Sequence, residues 1–350
     1  MGRPLPTGLG LALDEERIEP ALLASLESRL GSAARIRRVK GTILQRRTLR
    51  YELEHEGPGP RARTFLIGKV YESVAAGTRG FDALRWLNEH VSPGSGCLAV
   101  PRAVAYLPDF ALLLMEEAGG RSLHRMLKEE SARPEHLRLF ARALLELHGL
   151  PHAFGAPFTL DDHLAVRCAG LTGALQAAFP ELARPIERIL ASTRRAESGE
   201  LAPACTVAHG DYHPGQAHLD GERVWLVDID PLHQGNPGYD LAMALFSLKR
   251  LEATPEDARR IAPLRAAFCA TYFERVEPRR AERLPLDVAL IYLKRACKRF
   301  RWQDEDGWQD AVRRQIGLAQ RCVDWLEEAR PCRTAAEAIE LCQRVPGPGA

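Results

Sequence analysis

No C-x-x-C pair occurs in this chain, although it carries 8 cysteines, scattered at positions 97, 168, 205, 269, 297, 322, 332 and 342. Cysteines spread this way read as reduced, buried thiols of a cytosolic protein. The start, MGRPLPTGLGLALDEE, has no basic segment leading into an apolar core, so a secretory signal is not expected. Pro6 stands where a myristoylation site would need Ser or Thr. Uninterrupted apolar runs of membrane-spanning length are missing too. Net charge is nearly absent, at +2, with both signs interspersed, which argues against a dedicated nucleic-acid binder. What remains is a cytoplasmic globular chain of ordinary composition, 45% hydrophobic, long enough for one large domain or two lobes.

The most informative stretch runs from Val207 to Ala242, VAHGDYHPGQAHLDGERVWLVDIDPLHQGNPGYDLA. It holds His209, Asp211, His213 and Gln216, then a strand pattern at Val224–Ile229 with Asp228 near its end and Asp230 just beyond. Gly, Pro and Asn follow, and a helical run opens with Asp240 in its first turn. Apolar strands that deliver carboxylates into Gly/Pro-rich turns suit metal-assisted phosphoryl transfer. One carboxylate must meet the attacking hydroxyl, while an amide and a second carboxylate hold Mg²⁺ against the phosphates.

H-G-D-Y-H-P-G-Q, then V-D-I-D, then G-N-P-G-Y-D-L-A resembles the signature of the aminoglycoside phosphotransferase and choline kinase-like family. Two positions depart from the usual pattern: Gln216 stands where that family has Asn, and Asn236 where it often has Asp. The resemblance implies an α+β, bilobal, protein-kinase-like fold. An N-terminal lobe over residues 1–118, with a loose tail at 1–12, would carry an antiparallel sheet and a helix; residues 119–350 would form a larger, mostly helical lobe. It also implies a small-molecule kinase that moves the γ-phosphate of ATP, with Mg²⁺, to a hydroxyl of a metabolite, sugar or antibiotic.

The local patterns fit that division. Pro20–Leu30 has helical spacing with Pro20 in its first turn, and strands are expected over 34–40, 47–55 and 64–71. The first two would join through a turn around Gly41-Thr42, the last two through the turn-rich EGPGPRAR. A short helix at 81–90 and strands at 100–105 and 110–115 follow. Beyond Gly119-Gly120 the period turns helical: Ser122 is a plausible cap for 122–128, and 134–148 is strongly amphipathic. Residues 158–164 read as a loop, 171–192 as helix interrupted near Pro180, 191–203 as loose and polar, and 241 to about 329 as helical. A last helix is expected at 333–343 and a frayed end at VPGPGA.

Within the resemblance, Asp211 is the base that orients the acceptor hydroxyl; Gln216 and Asp228 bind Mg²⁺, with Asp230 auxiliary. Lys69 reaches the α- and β-phosphates and pairs with a helix acid, either Asp82 or Glu89. Gly41 and Thr42 are the candidate phosphate loop, although a single Gly is also what an ordinary hairpin needs. Glu116 and Ala118 fall where the family's hinge backbone meets adenine. His209 packs the loop, and His213, His218 and His233 lie at the surface of the site. Each has a plainer reading: a solvated Lys on a strand, or turn-forming Asp residues. A nucleotide-binding protein degraded from a kinase, and a metallohydrolase built on His209, Asp211, His213, Asp228 and His233, are the competing functions. On the helix at 286–301, Ala289, Leu293, Ala296, Cys297 and Phe300 make an apolar face. Lys294, Arg295, Lys298, Arg299 and Arg301 make a basic arc, either solvated or a wall of the acceptor site. That arc favours a neutral or anionic hydroxyl compound over a polycationic aminoglycoside.

Overall fold

The computed structural model describes residues 7–30, 35–56, 62–91, 94, 96–151, 156–199, 205–303, 306–328 and 331–346. The chain divides into two compact units. The first takes in residues 1–95, 99–120 and 225–230; the second takes in 96–98, 121–224 and 231–350.

The first unit is built on a five-stranded antiparallel sheet. Arg35–Gln45, Thr48–Glu56 and Ala62–Val70 form a meander, extended by Leu112–Glu116 and edged by Ala103–Leu107. Thr48–Glu56 shows why these residues choose a strand. Leu49, Tyr51 and Leu53 are fully buried, while Arg50, Glu52 and Glu54 between them face away, the two-residue alternation of a half-buried strand. The buried face meets Leu9, Ala12, Ile18, Leu22 and Leu26 from two N-terminal helices, Thr7–Leu13 and Glu15–Leu30. Each fully buried Leu contributes about 1.5–3 kcal/mol relative to exposure. Tyr51 joins the layers, donating its hydroxyl to the Ala12 carbonyl at 2.6 Å. Helix Val74–His90 is capped by Ser73, whose Oγ accepts from the Ala76 N–H, and buries Gly77, Gly80, Leu84 and Leu87 at helical spacing.

The second unit is mostly helical. Helix Pro134–His148 has the bounds its pattern implies, burying Leu137, Phe140, Ala141, Leu144 and Leu147 and ending at Gly149. Helix Pro237–Lys249 is buried nearly all round, as its apolar sequence requires. Helix Leu284–Trp302 buries Ala289, Leu293, Ala296 and Cys297 on the expected face. The helical pattern around Pro180 does break there, into Thr172–Ala178 and Ala183–Ser198.

Several expectations are corrected. The segment expected as a loose tail contains the helix Thr7–Leu13, with Leu9 and Ala12 buried. Pro20 lies inside Glu15–Leu30 rather than in its first turn. Gly41 and Thr42 are not a turn: they sit within Arg35–Gln45, paired with Tyr51 and Arg50, and the turn falls at Arg46-Arg47. Gly41 lies against the Tyr51 ring, where a Cβ would stand at ordinary contact distance, 3.5 Å. Ser122 precedes Leu123–Lys128 without a side-chain cap bond. Residues 160–167 are a helical turn continued by a π-turn, not a loop. Helix continues through the polar residues to Ser198, because Ile186, Ile189 and Ala196 bury one face of it. The linker at 57–61 and the end at 347–350 lie outside the described residues. Among the described residues, no helix is long and apolar enough to cross a membrane.

Candidate active site

Lys69 in the first unit is 15% exposed and paired with two carboxylates, Asp228 and, at 2.7 Å, Asp230. Burial lowers the ammonium's pKa, but the two acids outweigh it and the net shift is upward, so Lys69 is a fixed cation. The strand at 223–226 ends at Leu226, two residues before Asp228. Asp228 then adopts φ 57°, a left-handed conformation that costs an ordinary residue on the order of 1–3 kcal/mol. This turn lets both carboxylates reach one ammonium, which a continuing strand is not needed to explain. Tyr71, two residues beyond Lys69 and absent from the sequence reading, donates its hydroxyl to Asp230 Oδ1 at 2.6 Å. The Tyr71 ring fits only because position 80 is Gly: a Cβ there would stand 2.3 Å from the Tyr71 oxygen. Neither helix acid pairs with Lys69. Glu89 lies 3.8 Å from Arg85, and Asp82 makes no ion pair among the described residues. The spacing of the helix could not reveal that Asp228 comes from 159 residues away.

Leu84, Pro101, Leu113, Met115 and Leu226 line an apolar recess together with Lys69, Asp228 and Asp230. An apolar recess bordered by a fixed cation and two carboxylates offers a charge for phosphate oxygens and oxygen ligands for a hard cation. Glu116 closes the strand Leu112–Glu116 and donates its N–H to the Arg102 carbonyl at 2.9 Å. Ala118 follows in the irregular stretch that leads to Gly120, where this part of the unit ends.

In the second unit, strand Thr206–Ala208 pairs antiparallel with His233–Gly235 and delivers His209, Gly210 and Asp211. Gly210 has φ 78°, and a Cβ on it would meet the Pro231 carbonyl at 2.7 Å and the Arg167 guanidinium at 2.9 Å. Fully buried Asp240 in the first turn of Pro237–Lys249 pins this loop. Its two oxygens accept the N–H groups of His209 and Gly210, each at 2.7 Å, and His148 Nε2 lies 3.3 Å away. Burial raises the Asp240 pKa, but these partners outweigh it and the carboxyl lies below its ordinary value. Tyr212 is stacked on Phe140 and donates to its carbonyl at 2.6 Å, fastening the loop to Pro134–His148.

Asp211 is thereby held with Lys294 Nζ 3.2 Å from Oδ1 and His213 Nε2 3.6 Å from Oδ2. His213 Nδ1 accepts the Gly215 N–H, which leaves the ring proton on Nε2, facing Asp211. Burial pushes Asp211 up, but His213 and Lys294 pull harder and hold it well below the usual carboxylate range. Neither His213 nor His233 is a free surface imidazole. His233 packs on Phe158, with Nδ1 2.7 Å from the Pro231 carbonyl, and burial followed by Arg167 lowers its pKa. His218 is half-buried. The Gln216 N–H donates to the His213 carbonyl in the turn Pro214–Gln216, and its side chain is half-buried.

The basic arc on Leu284–Trp302 divides. Only Lys294 reaches Asp211. Arg295 instead stacks over Phe246 and donates to Gln315 at 3.2 Å, with burial and Arg250 pushing its pKa down to about 10. In the first turn of the same helix, Asp287 is fully buried, accepting from Asn236 Nδ2 at 2.7 Å and Arg283 Nε at 3.4 Å. Burial outweighs these partners and raises its pKa from 3.8 to about 6. A carboxyl raised on folding stabilises fully below its unfolded pKa and loses that stabilisation as pH rises through the folded value. Roughly two pKa units correspond to ~3 kcal/mol, lost between about pH 4 and about pH 6. Urea unfolding at pH 4 and pH 7 should therefore show a drop in the wild type that Asp287→Asn lacks; equal drops would refute the assignment.

The first unit thus holds a cation flanked by carboxylates at an apolar recess, and the second holds an ionised Asp on a pinned loop. The profile of the phosphotransferase enzyme family matches residues 49–284, more than half of the chain. The chain belongs to that family. No curated protein matches it. Among solved structures, this phosphotransferase is similar to choline kinase from Cryptosporidium parvum, at 13% identity and TM-score 0.58, covering 89% of this chain and 96% of that one. It is similar to amicoumacin kinase hAmiN in complex with AMP-PNP, Ca²⁺ and Ami, at 12% identity and TM-score 0.57, covering 93% and 96%. It is also similar to APH(2")-IIa in a ternary complex with streptomycin and ATP, at 13% identity and TM-score 0.55, covering 89% and 98%. At these identities the likeness concerns the fold. The α+β, protein-kinase-like architecture and the phosphotransferase class are as expected. The metallohydrolase alternative finds no support: among the described residues, no group of three or more His, Cys, Asp and Glu could hold a metal ion.

Proposed function

We propose that this phosphotransferase moves the γ-phosphate of ATP to a hydroxyl of a small molecule, with Asp211 as base. The observation that carries this reading is Lys69, buried between Asp228 and Asp230 beside an apolar recess. In this reading Lys69 holds the α- and β-phosphates, and the base lies against the apolar side chains at the mouth of the recess. Two carboxylates turned to one side match a hard divalent cation, whose remaining ligands are phosphate and water oxygens. Asp228 would be its main ligand, with Asp230, oriented by Tyr71, and the amide of Gln216 as the others. Bound there, Mg²⁺ would neutralise charge on the phosphates. Gly41 and Thr42 do not belong to this reading, since both are sheet residues. Glu116 and Ala118 remain the proposed main-chain contacts to the base.

In the transfer, the acceptor oxygen bonds to the γ-phosphorus and the bond from that phosphorus to the β,γ-bridging oxygen breaks. ADP leaves with the electron pair, and the hydroxyl proton passes to Asp211. Lys294 and His213 keep Asp211 ionised and aimed, so its contribution is orientation more than basic strength.

ATP titrations with Mg²⁺ test the nucleotide half. Asp228→Ala should weaken affinity at least about tenfold, roughly 1.4 kcal/mol, and EDTA should weaken the wild type similarly. Unchanged affinity in both would remove Asp228 from the site. A screen of alcohols, amino sugars, nucleosides and antibiotics by ADP release then separates a working kinase from a protein that binds nucleotide without turnover.

A further inference from the structure

Among the described residues, Arg167 makes no ion pair with a carboxylate. It closes the π-turn His163–Arg167, and such turns often mark functional positions. Its guanidinium lies 3.9 Å from the Tyr239 ring centre and 4.7 Å from that of Phe158. One nitrogen stands 3.4 Å from His233 Nε2, and a Cβ at Gly210 would touch it, so it lies against the residue preceding Asp211. Since His233 Nδ1 lies 2.7 Å from the Pro231 carbonyl and burial disfavours its charged form, Nε2 is an acceptor for Arg167. Among the described residues, no carboxylate pairs with Arg167. Of the nearby buried acids, Asp240 is engaged by the loop N–H groups, whereas Asp287 meets Asn236 and Arg283 through Oδ1 alone and feels the Arg167 charge without pairing with it.

A second, independent feature stands on the same face. Tyr239 is 4% exposed, yet among the described residues its hydroxyl has no hydrogen-bond partner. Tyr239 also lies near enough to Lys294 to help raise its pKa against the lowering effect of burial. Lys294 gives one of its three N–H groups to Asp211. An Arg guanidinium held by aromatic faces, a Lys ammonium and an unpaired hydroxyl, all next to the base, make a receptor for two or three oxygens of one anion.

We infer that the acceptor carries an anionic group, a carboxylate or a phosphate, close to its reactive hydroxyl, and that Arg167, Lys294 and Tyr239 bind it. The inference rests on Asp211 being the base for that hydroxyl. It excludes polycationic acceptors, because the groups around the base have the same sign as theirs.

Calorimetric titration with inorganic phosphate and with acetate, without nucleotide, tests the subsite directly. At least one of them should bind the wild type, bind Arg167→Gln at least about tenfold more weakly, and recover in Arg167→Lys, which restores the charge. Thermal melting of each variant shows whether it is folded. Equal binding by wild type and Arg167→Gln, or no binding of either anion, overturns the inference. ADP release is then measured with glycerol, ethanolamine, D-glycerate and glycerol 3-phosphate. The last two should be preferred, and which of them wins distinguishes carboxylate from phosphate. Arg167→Gln should raise their KM and leave that of ATP within about twofold. Preference for glycerol or ethanolamine overturns the subsite while leaving the kinase reading standing. A larger rise in the KM of ATP also overturns it, since the anion would then be the nucleotide's own phosphate. Charge-dependent anion binding without ADP release from any compound supports the subsite and counts against the kinase reading.

Discussion

Asp211→Asn is expected to lower kcat by about 10²- to 10⁴-fold, the range for losing a positioned general base, with the affinity for Mg-ATP unchanged. Asn keeps the shape and an oxygen for Lys294 but cannot accept the hydroxyl proton. Because Lys294 and His213 hold Asp211 well below the ordinary carboxylate range, it is ionised throughout neutral pH. A carboxyl with a depressed pKa loses its charge only as pH falls through that low value. The wild-type rate should therefore show no acid limb due to Asp211 between about pH 5 and about pH 8. Lys294→Met should move that limb upward, because it removes a group that keeps Asp211 charged. Steady-state rates across pH for the three proteins decide this, and near-native turnover in Asp211→Asn would remove it from the base role.

Asp240→Ala is expected to destabilise the chain by about 3–5 kcal/mol, the cost of breaking a buried charged pair. The reason lies in what it leaves behind. The N–H groups of His209 and Gly210 would both be buried without an acceptor, and His148 would lose its carboxylate. Activity should fall with stability, since Asp211 follows directly on these two residues. Urea unfolding measures the first effect and turnover below the melting temperature the second. A loss under about 1 kcal/mol would mean that the loop does not depend on Asp240.

How much of this was legible beforehand varies from element to element. The helix Pro134–His148 could be read to the residue because its apolar positions repeat at helical spacing and Pro and Gly mark its ends. The N-terminal helix Thr7–Leu13 was not, because TGLGLAL carries two helix-weakening glycines and is held by the sheet it covers. Gly41 looked like a turn for the opposite reason. A lone Gly between strand-like runs signals a hairpin, yet here it sits inside a strand, paired with Tyr51.

The sequence by itself determined the chemistry that depends on near neighbours. His209-Gly210-Asp211, Asp228 with Asp230, and Asn236 through Asp240 act through backbone turns and caps only a few residues long. Their spacing is their geometry. Only the tertiary structure decided which groups set the charge on those residues. Lys69 finds Asp228 159 positions away, Asp211 finds Lys294 83 positions away, and Arg167 meets His233 across 66. Those pairings follow from how helices and sheet pack, and burial strengthens them by removing the water that would screen them. Helical periodicity identified a basic arc on Leu284–Trp302, but packing alone turned Lys294 toward the base and Arg295 onto Phe246.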